Sequence, residues 1–249
     1  MSTLRARCPD CRTLTAVAID DEYQCHSCGR EFAAGLVRVP RAWGDGGEVM
    51  IEGASMDLPW PEAATIAEAT LEEQLETLGR ALPVRPLVLG GCCCSHVGAI
   101  AELARRHGRL AVVWLDAHGD LNTPESSPSG NAWGMPLRMA IDAGSVAAED
   151  VTLLGARNLD PPEVDYIAAA GVRTELAGLP EHVYVAVDGD VGEPAEIDSF
   201  MPEPAGISIA ELELLLASLP RPVGAGFTGF ARSARNEATI ARLGHALGL

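Results

Sequence analysis

The sequence predicts an α/β protein built on a mostly parallel sheet covered on both faces, preceded by a small cysteine-rich unit. Short, wholly apolar runs such as Leu-Ala-Val-Val-Trp-Leu at 110–115 recur along the chain and read as strands buried on both sides. Helical stretches alternate with them, and strand taking turns with helix is the pattern of a parallel sheet. Two Cys-x-x-Cys pairs lie close together between Cys8 and Cys28.

Residues 1–36 form the cysteine unit, and residues 37–60 a linker marked by Pro40, Gly44, Gly46 and Gly47. The α/β domain then spans 61–249. Residues 61–80 read as its first helix, with Pro61 at the start, Ile66, Leu71, Leu75 and Leu78 on one face, and Gly79 near the end. Leu87-Val88-Leu89 is a short strand running into Gly90-Gly91, after which Ser95 can cap a helix through His107 that Gly108 closes. Strand 110–115 is followed by a polar loop and a helix from about Ala132. Strands follow at 151–154, 183–187 and 223–227, and helices at 162–170, 209–219 and 233–247. In such sheets the chemistry lies beyond the carboxyl ends of the strands.

The length suits one α/β domain with a sizeable core plus an appendage. A net charge of -17 argues against nucleic acid as a partner, because phosphate recognition needs a basic face. The acidity belongs to the larger domain: residues 43–249 hold twelve Arg against thirty acids, residues 1–42 six against five. No apolar run approaches the ~20 residues that cross a bilayer, and the N-terminus does not read as a signal peptide. A cytoplasmic location without membrane partners is therefore expected. In that setting seven cysteines point to metal or thiol chemistry ahead of disulfides.

Cys8, Cys11, Cys25 and Cys28 form two C-x2-C pairs thirteen residues apart, a spacing that lets two knuckles set four thiolates around structural zinc. A metal-stapled module docked on the main domain is favoured over a separate binding function. His26 stands inside the second knuckle as a bystander.

Strand 110–115 ends in Asp116-Ala117-His118-Gly119-Asp120, and strand 183–187 in Asp188-Gly189-Asp190. Alternate residues at a strand end point the same way, so both sets can converge on one cavity. Four carboxylates gathered there would repel one another, and divalent cations remove that penalty. Oxygen-rich ligation with one imidazole suits manganese better than zinc. Read without a metal, the same acids would be loop caps and salt-bridge partners.

These motifs, with Gly90-Gly91, Asn122-Thr123-Pro124 and Ser129-Gly130-Asn131, resemble the ureohydrolase (arginase–agmatinase) family in order and spacing over roughly 85–245. The resemblance implies a three-layer α/β/α fold and a binuclear manganese centre that activates water for attack on a guanidine-like carbon. It implies metal ligation by Asp116, His118, Asp120, Asp188 and Asp190, with Asp120 and His118 catalytic. Asn122, Ser129 and Asn131 fall in the loop that meets an amino-acid substrate, Asn122 and Ser129 at its α-carboxylate. Asp160, closing Gly155–Asp160, matches the acid that meets the α-amino group, or else caps a helix. The family also implies a small-molecule substrate and a homo-oligomer.

Three departures stand out. Cys93 occupies the place of the sixth ligand, a His, and its softer thiolate shifts metal preference towards zinc or iron; His96 is an alternative ligand. Gly229 and Gly226 stand where the last strand of the family carries acids, one of them the guanidinium-binding Glu. Trp133 replaces a proton-shuttling His and offers either a stacking surface or simple packing. The expected activity is hydrolysis of a C–N bond in a small guanidine, amidine or amide. The alternative is a non-catalytic binding or scaffold protein on the same fold.

Overall fold

Alternate residues of the apolar runs point to opposite faces of one sheet, and helices cover each face. The computed structural model describes residues 5–249. Four short strands, β1 (Arg5–Ala6), β2 (Ala16–Ile19), β3 (Glu22–Cys25) and β4 (Glu31–Phe32), pair antiparallel in that order as a separate small sheet. The large sheet is made of β5 (Gly35–Val39), β6 (Glu62–Thr65), β7 (Pro86–Gly90), β8 (Ala111–Leu115), β9 (Val151–Leu154), β10 (Val183–Asp188) and β11 (Gly224–Thr228). Its order is β6-β5-β7-β11-β10-β8-β9, and every pairing is parallel.

The helices are α1 (Glu48–Gly53), α2 (Leu71–Ala81), α3 (Cys94–His107), α4 (Pro136–Asp142), α5 (Pro161–Ala170), α6 (Ile209–Ala217) and α7 (Ala234–Ala246). Leu87, Leu89, Val113, Val185 and Phe227 face a core closed by Leu212 and Leu216 of α6 and Ile240 and Leu243 of α7. Their neighbours Val88, Val112, Trp114, Tyr184 and Ala186 face a second core with Leu78, Ile100, Leu103 and Leu137 from α2, α3 and α4. The period-two alternation thus produces the three-layer α/β/α architecture.

Four expectations change. The stretch read as linker holds most of β5, which lies between β6 and β7 inside the large sheet, and all of α1. The expected helix over 61–80 is strand β6 followed by the shorter α2. Its start is fixed by a capping box: the Thr70 hydroxyl accepts from Glu73 N at 3.2 Å while the Glu73 carboxylate accepts from Thr70 N at 3.2 Å. Ser95 lies inside α3 rather than at its cap, its hydroxyl buried without a partner. The helix expected near Ala132 is a 3-10 turn, Ala132–Gly134, leading into α4.

The cysteine unit docks on the edge of the large sheet. Arg7 N donates to Glu62 O at 2.8 Å and Glu62 N to Arg7 O at 2.9 Å, an antiparallel bridge onto edge strand β6. Arg85 pairs with Asp21, and Arg221 with Glu22 at 3.2 Å. Among the described residues no helix is long and apolar enough to cross a membrane.

Leu89 is 1% exposed on a central strand. Leu89→Ala should destabilise the protein by about 2–5 kcal/mol through lost burial and a residual cavity, seen as a lower urea midpoint at unchanged m-value.

Candidate metal centre

The strand order decides what meets at the carboxyl edge. β7, β11, β10 and β8 are consecutive neighbours, so the residues that follow them form one row. β8 delivers Asp116, β10 ends in Asp188, and the turn after β7 delivers Cys93 at the start of α3. Thr228, paired in register with Asp188, closes the row from β11.

Potential ligand atoms gather in two trios, Cys93–Asp116–Asp188 and Asp116–His118–Asp190, each within 4.8 Å. Asp116 belongs to both. Cys93 Sγ lies 3.0 Å from Asp188 Oδ2 and 3.8 Å from Asp116 Oδ2. His118 Nδ1 lies 3.0 Å from Asp190 Oδ2 and 3.5 Å from Asp116 Oδ1. Backbone amides fix the acids: His118 N donates to Asp116 Oδ1 at 2.8 Å, Ala117 N to Asp190 Oδ1 at 3.0 Å, and Asp190 N to Asp188 Oδ1 at 3.1 Å. Trp114 Nε1 adds a 3.2 Å bond to Asp116 Oδ2.

Asp120 completes the set from a left-handed backbone, φ 54°, a conformation that costs a non-glycine residue of order 1–3 kcal/mol. Its Oδ2 is buried with no hydrogen-bond partner. An orphaned carboxylate oxygen beside three further aspartates fits a cation, which supplies the missing partner.

Burial first, then mutual repulsion, raises Asp116 to about 7 and pushes Asp120 and Asp188 well above the carboxylate range. Burial would lower His118, but hydrogen bonds and charge from Asp116 and Asp190 win and hold it up to about 12. The Cys93 thiol is raised by burial and by the charges of Asp188, Asp120 and Asp116. Burial and repulsion thus favour protons at these groups, and a divalent ion bound among them would compete with those protons.

A cavity of about 240 Å³ opens over the six groups. Of the residues expected to meet substrate, Asn122, Ser129, Trp133 and Asp160 line it. Asn122 Nδ2 donates to Asp160 Oδ2 at 2.8 Å while Ser126 Oγ donates to Asn122 Oδ1 at 2.9 Å. Asn131 is not among the lining residues; its Oδ1 accepts from Asp45 N at 3.0 Å and holds the preceding loop. Glu163, not anticipated, lies beneath Asp160 and accepts from Leu121 N and Asp160 N, each at 2.9 Å. The D-x-x-E spacing from Asp160 carried that signal. Met50, Phe200 and Met201 were also unforeseen, and with Trp133 they make the cavity's apolar side. Trp133 and Phe200 meet edge to face, centroids 5.8 Å apart.

The alternative ligand His96 is corrected. Its ring is fully buried, Nδ1 2.9 Å from Tyr184 Oη and Nε2 3.1 Å from Thr228 Oγ1, and burial lowers it to about 3. That packing also explains Gly226, where a Cβ would come within 2.7 Å of both His96 and Tyr184. At Gly229 (φ +71°) a Cβ would come within 2.2 Å of Asp188 Oδ1. A side chain at either position would have to push these neighbours aside, and at Gly229 it would also sit on a strained backbone.

In the small sheet all four cysteine sulfurs lie within 4.8 Å of one another. Cys8 and Cys28 Sγ are 3.7 Å apart and Cys11 and Cys25 Sγ 3.5 Å, close to the ~3.8 Å edge of a tetrahedron with Zn–S of about 2.3 Å.

Fold and site together define a parallel α/β protein whose strand ends carry a buried, carboxylate-rich cluster with the donor atoms to hold a metal ion. The arginase-family model matches residues 45–231, and the chain belongs to that family. Arginase from Bacillus subtilis (strain 168) is 42% identical over 100 residues, covering 35% of this chain and 34% of that protein. The match thus spans about a third of that curated relative's length. Among solved structures, arginase from Bacillus subtilis superposes with TM-score 0.72 at 23% identity, covering 86% of this chain and 97% of the other. Entamoeba histolytica arginase in complex with L-ornithine gives 0.73 at 19% identity, covering 86% and 98%. These structures share the fold.

Two predictions follow from this geometry. Gly229→Ala should displace Asp188, so divalent binding at the cavity falls at least tenfold in a chelator competition while the fold persists by circular dichroism. Asp116 and His118 hold protons in the folded metal-free protein at pH values where the unfolded chain has lost them. Stability of the metal-free protein should therefore fall as pH rises from about 5.5 to 8.5. Melting curves with chelator should show this slope, and added divalent metal should flatten it.

Proposed function

We propose that this chain is a metal-dependent hydrolase of a C–N bond in a small guanidine, amidine or amide substrate. One observation carries the reading: two ligand trios sharing Asp116, with an unpartnered Asp120 Oδ2, at the bottom of a cavity. Cys93, Asp116, Asp120 and Asp188 would hold one ion, and Asp116, His118, Asp188 and Asp190 the other. Two divalent ions supply Lewis acidity and a water with pKa lowered towards neutrality. With Oδ2 engaged by the ion, the other carboxylate oxygen of Asp120 would accept the proton of the attacking water and pass it to the departing nitrogen. Manganese suits the oxygen-rich trio, while the Cys93 thiolate draws its own position towards zinc or iron.

The walls narrow the substrate. Asp160, held by Asn122, presents a carboxylate for an ammonium group, and Ser129 is a neutral donor suited to a carboxylate. Beside Gly229 the neighbour is aromatic: Phe200 N donates to Gly229 O at 2.9 Å, and the Phe200 ring meets Trp133. The carboxylate beside Gly229, Asp188, would be engaged by metal, and no further acid stands there to offset the desolvation of a guanidinium, so arginine itself is a poor fit. Zinc at Cys8, Cys11, Cys25 and Cys28 is proposed as structural.

Protein reconstituted with manganese, zinc or iron, incubated with arginine, agmatine, guanidinobutyrate, formiminoglutamate and simple amides, should release urea, ammonia or formamide from at least one. Asp116→Asn should cut turnover by at least 10³-fold and remove the cavity metals, leaving the zinc of the cysteine cluster in place. One zinc per chain and no turnover would instead select the scaffold reading, which the loss of the family's last-strand acid and of its shuttle His favours.

A further inference from the structure

His118 presents two nitrogens to two different neighbourhoods. Nδ1 faces Asp116 and Asp190, the two carboxylates of its trio. Nε2 points away from them, 3.6 Å from Glu203 Oε1 and 3.5 Å from Asn158 Nδ2. Asn158 Nδ2 in turn donates to Glu203 Oε1 at 2.8 Å. Of the two groups beside Nε2, the amide nitrogen is a donor already directed at Glu203. Only the carboxylate can accept a proton from the ring.

Glu203 has few other calls on it. Among the described residues, His118 is its only basic partner within 4.0 Å, and the Glu203 side chain is 24% exposed. Its backbone is anchored more firmly than an ordinary surface loop. The Arg157 guanidinium donates to Gly155 O at 2.9 Å, Asp190 O at 2.6 Å, Glu203 O at 3.0 Å and Pro204 O at 2.8 Å. One cation thus ties the Asp188–Asp190 turn to the segment bearing Glu203. The segment's ends are joined as well: Ile207 N donates to Val191 O at 2.9 Å and Glu193 N to Ile207 O at 3.0 Å. Gly206 allows that approach, since a Cβ there would fall 2.2 Å from the Gly192 backbone.

We infer that Glu203 is a positioning residue for His118, accepting the Nε2 proton so that Nδ1 offers its lone pair to a cation. The inference rests on the metal reading of this cavity and adds to it a carboxylate from outside the ligand motifs. A neutral imidazole carries one N–H, and placing it on Nε2 leaves Nδ1 free to ligate. With the proton on Nδ1 instead, the ring donates to Asp190 and shuts the ligand position. The 3.6 Å separation is roughly 0.5 Å beyond a made hydrogen bond. Nδ1 lies in contact with Asp190, and a cation bound to both would relieve that contact and let the ring turn the small amount that closes the gap. Asn158 keeps the carboxylate aimed.

The test uses the full chain with metals titrated against a chromophoric chelator, comparing the parent with Glu203→Ala and Glu203→Gln. Glu203→Ala should weaken one of the two cavity ions by about 10- to 100-fold, the loss typical of removing such a partner. The other ion should stay within about threefold, and the zinc of the cysteine cluster should be untouched. Glu203→Gln keeps the shape and the Asn158 contact and should lose less. Melting in chelator should be unchanged for both, which separates positioning from damage to the fold. With zinc loaded, ¹⁵N spectra of the histidines should show His118 protonated on Nε2 in the parent, with faster exchange of that proton in Glu203→Ala. If the parent binds two cavity ions and Glu203→Ala binds both as tightly, Glu203 does not position His118 and the metal reading stands. If the parent binds none beyond the cysteine cluster, both ideas fall together.

Discussion

The site is organised around charge repulsion under burial. Asp116, Asp120, Asp188 and Asp190 converge on one cavity, and the groups packed among them resist ionising. Side chains free to relax would turn away from one another. They cannot, because three come directly from strand ends or their first turn, and backbone amides hold their oxygens. Asp120 is kept in place by an unfavourable left-handed backbone. The large sheet provides the stiffness that lets these acids stay together, and a cation is the natural relief.

That constraint reaches the cavity's walls. Gly229 must lack a side chain because Asp188 fills the space beside its Cα, and Gly226 because His96 and Tyr184 do. Both glycines are thus fitted to the packing around the centre, and a side chain at either would require moving what lies beside it. Phe200 and Trp133 line the cavity together with Met50 and Met201, and the Asn122–Asp160–Glu163 arrangement lines it as well. The cavity wall thus carries both charged and apolar groups.

How much of this the sequence discloses depends on whether a signal is local. Strands at 110–115 and 183–187 are long apolar runs, and the acids beyond them share a side by simple alternation, so both were legible. Strand β6 was not: Glu-Ala-Ala-Thr continues into a capped helix, and its role as an edge comes from pairing with β5. β5 itself adjoined a Pro- and Gly-rich stretch that read as linker. The T-x-x-E and D-x-x-E boxes at Thr70 and Asp160 were available signals that placed one helix start and Glu163. His96 could not be judged from sequence, because its partners Tyr184 and Thr228 are distant in the chain. Glu203 had no motif to mark it; only the loop pinned by Arg157 brings it to His118.

The cysteine unit belongs to the other end of the sheet. Glu62 opens β6, Arg85 precedes β7, and Arg221 precedes β11, so each of these contacts lies at the amino ends of strands. The candidate centre lies at the carboxyl ends, a strand length away. A metal held by the four cysteines is therefore too far from the cavity to touch a substrate there. The unit itself covers the edge: the bridge between Arg7 and Glu62 occupies polar backbone groups of β6 that would otherwise be open to another strand. Tyr23 packs against Gly35 at the start of β5, where a Cβ would come within 2.7 Å of its ring, so the unit is fitted closely to the sheet. Four thiolates drawn to one ion would fix its two knuckles and keep the edge covered.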